Sequence, residues 1–189
     1  MSKYHPKDEK RIVRLRRLML AEQSMVLVIE GCKSVINRAD ISSHERANFS
    51  VSVATLYASP FTEGRQLGGL DEKYEAFADT SLKQTHEATL VYRHCFAAHR
   101  DLSNLEVKVH AGDKSAHFYT PIFTIKDKGE ITRHVPFMSF ENSQFQRIQD
   151  LAEFQLKRIK AKADKLAGEL IQSSQLKMPG EYILGQTYP

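Results

Sequence analysis

Between residues 8 and 37, apolar side chains recur mostly at intervals of three and four: Ile12, Leu15, Leu18, Met19, Met25, Val26, Ile29, Cys32 and Ile36. That period puts them along one long helix, whose stripe must be buried against other elements. The same spacing returns from about residue 142 to 172 through Phe145, Ile148, Leu151, Gln155, Ile159, Leu166 and Leu170. A shorter helix is expected over 45–57, with Phe49, Val53 and Leu56 on one face and Pro60 stopping it. A third starts near Thr80 or Ser81, either of which can cap its exposed amides, and runs to about His99. The fold class is therefore mainly α, a bundle of four or five helices.

The period changes between the last two helices. FYTPIFTIKDKGEITRHVPF, 118–137, has β-branched and aromatic runs on both sides of Asp127-Lys128-Gly129, which predicts a β-hairpin. EVKVH, 106–110, is a candidate further strand, so the insertion is expected to span about 104–138. At 189 residues the chain is long enough for one domain, 1–189, to bury its own core. No internal repeat occurs, which argues against a solenoid. Pro60, Gly64, Gly68 and Gly69 mark a loop with Arg65 in its middle.

Charge bears on partners. The 27 Lys and Arg against 23 Asp and Glu give a net +4, which suits an anionic partner. KRIVRLRR, 10–17, and KRIKAKADK, 157–165, are the segments able to track a phosphate backbone, and Arg14, Arg17 and Arg65 are candidate RNA-binding residues. Each segment alone also fits a solvated helix face. Cys32 and Cys95 show no CxxC spacing, the histidines form no HExxH and the carboxylates form no magnesium pattern, so neither metal nor cofactor is expected. Gly68-Gly69 lacks the spacing of a phosphate-binding loop and no GxSxG occurs. The strongest apolar run, MVLVI at 25–29, is far short of the roughly 20 residues a membrane span needs. The N-terminus has no signal-type apolar stretch, so a cytoplasmic protein without membrane contact is expected.

The third helix carries the most chemistry. Steps of 100° put Leu82, His86, Thr89, Leu90, Arg93, Phe96 and Ala97 on one face. An arginine there needs a partner: either a carboxylate such as Glu22 or Glu30 of the first helix, or a ligand anion such as phosphate, which a guanidinium fork fits. His99 lies six residues on, a rotation of roughly 240° and a rise of roughly 9 Å on an ideal helix. The two meet only if the helix unwinds before Ala98, or if a twofold-related copy completes the pair. A histidine at a helix end also serves as a cap of the last carbonyls. His94, Arg100 and Asp101 are compatible with either role, supporting such a pair or the helix end.

Arg93-His94, followed by Cys95-Phe96-Ala97-Ala98 and His99, resembles the arginine, polar residue, spacer and histidine signature of the HEPN superfamily. YRHCFAAHRD resembles its stand-alone bacterial members, and ATLYASPFT, 54–62, is similar to them as well; the resemblance covers roughly residues 20–101. It implies an HEPN-like helical bundle, a homodimer that brings two motifs together, and in many members metal-independent RNA cleavage. Arg93 and His99 would be the catalytic pair of a toxin- or defence-type endoribonuclease, with RNA and an antitoxin protein as partners. Other members bind RNA or nucleotide without cleaving it, and a helical interaction protein whose Arg93 is only structural is the third reading. The hairpin is a departure from the family pattern.

Overall fold

The computed structural model describes residues 6–62, 69–94, 122–125, 131–134 and 139–173. Four α-helices occur among them: α1 (Pro6–Ile36), α2 (Ser43–Ala58), α3 (Thr80–Tyr92) and α4 (Asn142–Gln172). Short 3-10 turns cover Ser59–Phe61 and Glu72–Glu75. Two strands, β1 (Ile122–Ile125) and β2 (Ile131–His134), pair antiparallel with Ile122 opposite His134 and Ile125 opposite Ile131. Their connection at Asp127 to Gly129, the EVKVH segment and most of the expected 104–138 insertion lie outside the described residues.

Helix ends follow local chemistry. Ser42 caps α2 in a reciprocal box: its hydroxyl accepts from Glu45 N–H at 3.2 Å, and its own N–H donates to the Glu45 carboxylate at 3.0 Å. Pro60 cannot continue α2, and the chain tightens into the Ser59–Phe61 turn. The start of α3 corrects the expectation that Thr80 or Ser81 caps it. Asp79 does so, its carboxylate accepting from Ser81 N–H at 2.7 Å and Leu82 N–H at 3.1 Å. Thr80 and Ser81 are already inside the helix.

The two long helices run antiparallel. Arg11, near the start of α1, is 3.9 Å from Glu169 near the end of α4, while Arg46 at the start of α2 donates to Asn142 at the start of α4. The core lies between them and α2: Leu18, Met25, Val28 and Cys32 of α1, Val53 and Tyr57 of α2, and Phe145, Leu151, Ile159 and Leu170 of α4 are all buried. Gly31 allows a close approach of α1 and α2, since a Cβ there would stand 3.1 Å from Val53 Cγ2. One part of the α1 stripe is corrected. Met19 and Val26 are 50% and 43% exposed, and Val28 and Val35 occupy the buried face with the remaining residues.

Candidate functional site

Along the described part of α3 the face read from the sequence is the one that packs, while Phe96, Ala97 and the expected continuation of the helix to His99 lie outside the described residues. His86 and Thr89 are buried, Leu82, Leu90 and Arg93 are half-buried, and Tyr92 adds a buried ring near the helix end. Thr89 satisfies its hydroxyl within the helix by donating to Thr85 O at 2.7 Å. His86 is held by three aromatic neighbours, with ring centroids 4.9 Å from Phe61, 5.0 Å from Phe77 and 5.8 Å from Tyr57. Its Nδ1 is 2.8 Å from the Tyr57 hydroxyl. With that hydroxyl donating, the neutral ring carries its hydrogen on Nε2. Nε2 is buried without a hydrogen-bond partner, 3.8 Å from Glu75 Oε2. Burial holds the imidazole below its ordinary pKa, and the Glu75 carboxylate only partly opposes that. In the sequence His86 stood out only as a polar residue on an apolar face.

Arg93 follows the last α-helical residue, Tyr92, and lies with His94 in a wider, π-type turn. Its backbone N–H donates to Leu90 O and Thr89 O. Among the described residues no ion pair joins it to Glu22 or Glu30; Glu30 instead pairs with Lys33 at 3.4 Å. The carboxylate explanation of Arg93 is thus unmet there. His94 is exposed. His99, Arg100, Asp101 and Arg65 lie outside the described residues, and with them the meeting of Arg93 and His99.

The basic segments come together around a residue that the sequence did not single out. Tyr74, in the Glu72–Glu75 turn, is 3% exposed and sits between α1 and α4. On one side Arg14, Arg17 and Leu18 of α1 line a shallow depression with Asp71; on the other, Arg158, Ala161 and Lys162 of α4 line an open one with Lys73. Arg14 is engaged in an ion pair with Asp71, which Lys73 also reaches at 3.0 Å. Lys73 and then Arg14 hold the Asp71 carboxyl below its usual range. Arg158 is satisfied by carbonyls, donating to Tyr74 O at 3.2 Å and to Lys73 O, and its guanidinium lies over the Phe154 and Tyr74 rings at 5.2 and 5.4 Å. Gln155, fully buried, donates to the same Tyr74 carbonyl at 2.7 Å. Because carbonyls rather than carboxylates hold it, Arg158 keeps its net charge. Arg17 Nε is buried without a hydrogen-bond partner. Arg14 and Arg17 of one basic segment and Arg158 and Lys162 of the other thus border the same residue, Tyr74.

Cys32 is buried, and burial pushes its thiol up to about 12, so it stays protonated at neutral pH. Among the described residues no three His, Cys, Asp or Glu side chains form a group able to hold a metal. No helix there is long and apolar enough to cross a membrane. Comparison with family models, with curated proteins and with solved structures finds no match to this chain.

Proposed function

We propose that the protein is an endoribonuclease of HEPN type, cleaving RNA through Arg93 and His99 without a metal. The observation that supports this most is the situation of Arg93. A permanently charged guanidinium ends the packed face of α3, half-buried, and no carboxylate among the described residues answers its charge. A phosphate group is the partner that such a fork fits. The finer fold expected, an HEPN-like bundle carrying a β-hairpin insertion, belongs to the same proposal. So do a twofold copy that completes the Arg93–His99 pair and an antitoxin protein that restrains the activity.

In this reaction His99 takes the proton from a ribose 2′-hydroxyl or returns one to the leaving 5′-oxygen, the acid–base work for which an imidazole is suited near neutral pH. The 2′-oxygen attacks the adjacent phosphorus, the bond to the 5′-oxygen breaks, and the products are a 2′,3′-cyclic phosphate and a 5′-hydroxyl end. Arg93 stabilises the added negative charge of the transition state. The surface around Tyr74 adds a second support, because Arg17, Arg158 and Lys162 offer phosphates a contact area away from the reacting bond.

Incubating the protein with total RNA in EDTA and mapping the new ends tests the proposal. Cyclic-phosphate ends that disappear with His99→Ala support it. RNA left intact but retained by the protein would replace it with a noncatalytic RNA-binding module.

A further inference from the structure

The outward face of α1 is the part of the described surface least like a solvated helix. Met19, Leu20, Val26 and Leu27 are 50%, 44%, 43% and 47% exposed, on the side of α1 away from its buried stripe. Single exposed aliphatics are ordinary, but four within nine residues on one face are not. Seven residues advance a helix about 20° short of two full turns, so residues at that spacing form a nearly straight row. Arg16, Gln23 and Glu30 make such a row along the middle of the outward face. Leu20 and Leu27 flank it on one side, Met19 and Val26 on the other.

We infer that this face of α1 is a twofold interface between two copies of the chain, running antiparallel and centred on Gln23. The row reads positive, neutral, negative, and such a row is its own complement when reversed. A twofold axis through Gln23 sets Arg16 opposite Glu30 of the partner subunit, and by symmetry the same pair forms again at the other end. The same operation keeps each flank on its own side. It brings Leu20 beside Leu27 of the partner subunit and Met19 beside Val26 of the partner subunit, so the aliphatic rows cover each other while the charges fix direction and register. A parallel pairing sets Arg16 against the partner's Arg16 and Glu30 against the partner's Glu30, and is disfavoured. Glu30 has 64% of its side chain exposed and its link to Lys33 is a surface contact of 3.4 Å, so it is available to the second copy.

The interface does not rest on the ribonuclease reading. It uses α1, whereas Arg93 ends α3, which packs on α2 and α4. The face centred on Gln23 is made of α1 residues and contains none of α3. The twofold copy proposed to complete the Arg93–His99 pair is then a second, separate contact, and the two contacts together build an assembly larger than a dimer.

Sedimentation equilibrium of the full chain tests the inference with Arg16→Glu, Glu30→Arg and the double reversal. Each single change places like charges opposite each other twice per dimer and should raise the dissociation constant at least about tenfold, while the double change restores it. Arg16 is half-buried and Gln23 and Glu30 are exposed, and circular dichroism checks that the helices are retained in each variant. Gln23→Cys in a Cys95→Ser background should form a disulfide-linked dimer under mild oxidation, because the axis passes through that residue. Wild-type protein that stays monomeric at about 100 µM would overturn the inference. So would single reversals without effect, a double reversal that fails to recover association, or a Gln23→Cys dimer that does not cross-link. RNA cleavage by a dimer that passes these tests, or its absence, bears only on the ribonuclease reading.

Discussion

Arg93→Ala separates two uses of one charge. If the guanidinium stabilises a transition state, the rate should fall by about 10²- to 10³-fold, as for loss of a single oxyanion donor. Stability should change by less than about 1 kcal/mol, because no carboxylate among the described residues is left unpaired. Cleavage rate and thermal unfolding measured on the same preparation check this, and a large loss of stability with unchanged rate would restore the ion-pair explanation. His86 gives the opposite case, a buried group with structural consequences. Tyr57→Phe removes the hydroxyl bonded to Nδ1 and leaves that nitrogen buried without a partner, so urea unfolding should show a loss of about 1–3 kcal/mol. The sign of the pH effect follows from the lowered pKa, which burial causes first and Glu75 opposes. Folded protein resists protonation of His86, so the unfolded chain binds the proton more readily. The stability contributed by neutral His86 is complete above the unfolded value of about 6.5, and it is lost as pH falls below it toward the folded value, at up to about 1.4 kcal/mol per pH unit. Unfolding measured at pH 7.5 and 5.5 should show that loss, and His86→Phe should flatten it.

Among the elements, α2, α4 and most of α1 were legible because long amphipathic runs leave few alternatives. The sorting of α1 was harder for a physical reason. Met19, Leu20, Val26, Leu27 and Val28 surround that helix, and steps of three and four can be traced through more than one set of them; only the packing of α2 and α4 selects Met25, Val28 and Cys32. The start of α3 was misplaced by one or two residues because Asp79, Thr80 and Ser81 are all good caps in sequence, and which one caps depends on where the chain leaves the Tyr74 turn. Asp79→Ala should therefore cost about 1 kcal/mol in chemical denaturation and Thr80→Ala far less. Gly168 offers the converse test. It lies inside α4, and a Cβ there meets nothing within 4 Å, so Gly168→Ala should stabilise the protein by roughly 0.5–1 kcal/mol through helix propensity alone. A decrease in stability would mean that α4 meets a neighbour at that position.

At the scale of the molecule, the antiparallel packing of α1 on α4 brings Arg14 and Arg17 of one basic segment and Arg158 and Lys162 of the other, far apart in sequence, to the two sides of Tyr74. Neither segment announced this, since each alone reads as a solvated face. The residue that joins them, Tyr74, sits in a short polar turn without periodicity, and Arg14 reaches Asp71 across 57 positions of sequence. The consequence is measurable through salt. A protein that neutralises phosphates of single-stranded RNA releases counterions, and log K falls against log salt with a slope of about −0.7 per phosphate contacted. Arg17→Gln and Lys162→Gln, on opposite sides of Tyr74, should each weaken binding of an unstructured RNA and reduce the slope by about 0.7, with the double substitution reducing it by about 1.4. Arg14 is the poorer probe because its substitution also breaks the ion pair to Asp71. Lys83→Gln is the matching control, a surface cation of α3 that lies 3.8 Å from Glu87 and outside this surface, and it should leave the slope unchanged. Fluorescence anisotropy across a range of sodium chloride concentrations gives these slopes directly. Equal slopes for wild type, Arg17→Gln and Lys162→Gln, with binding abolished only by Arg93→Ala, would confine the RNA to the end of α3 and return the two segments to the role of solvated faces.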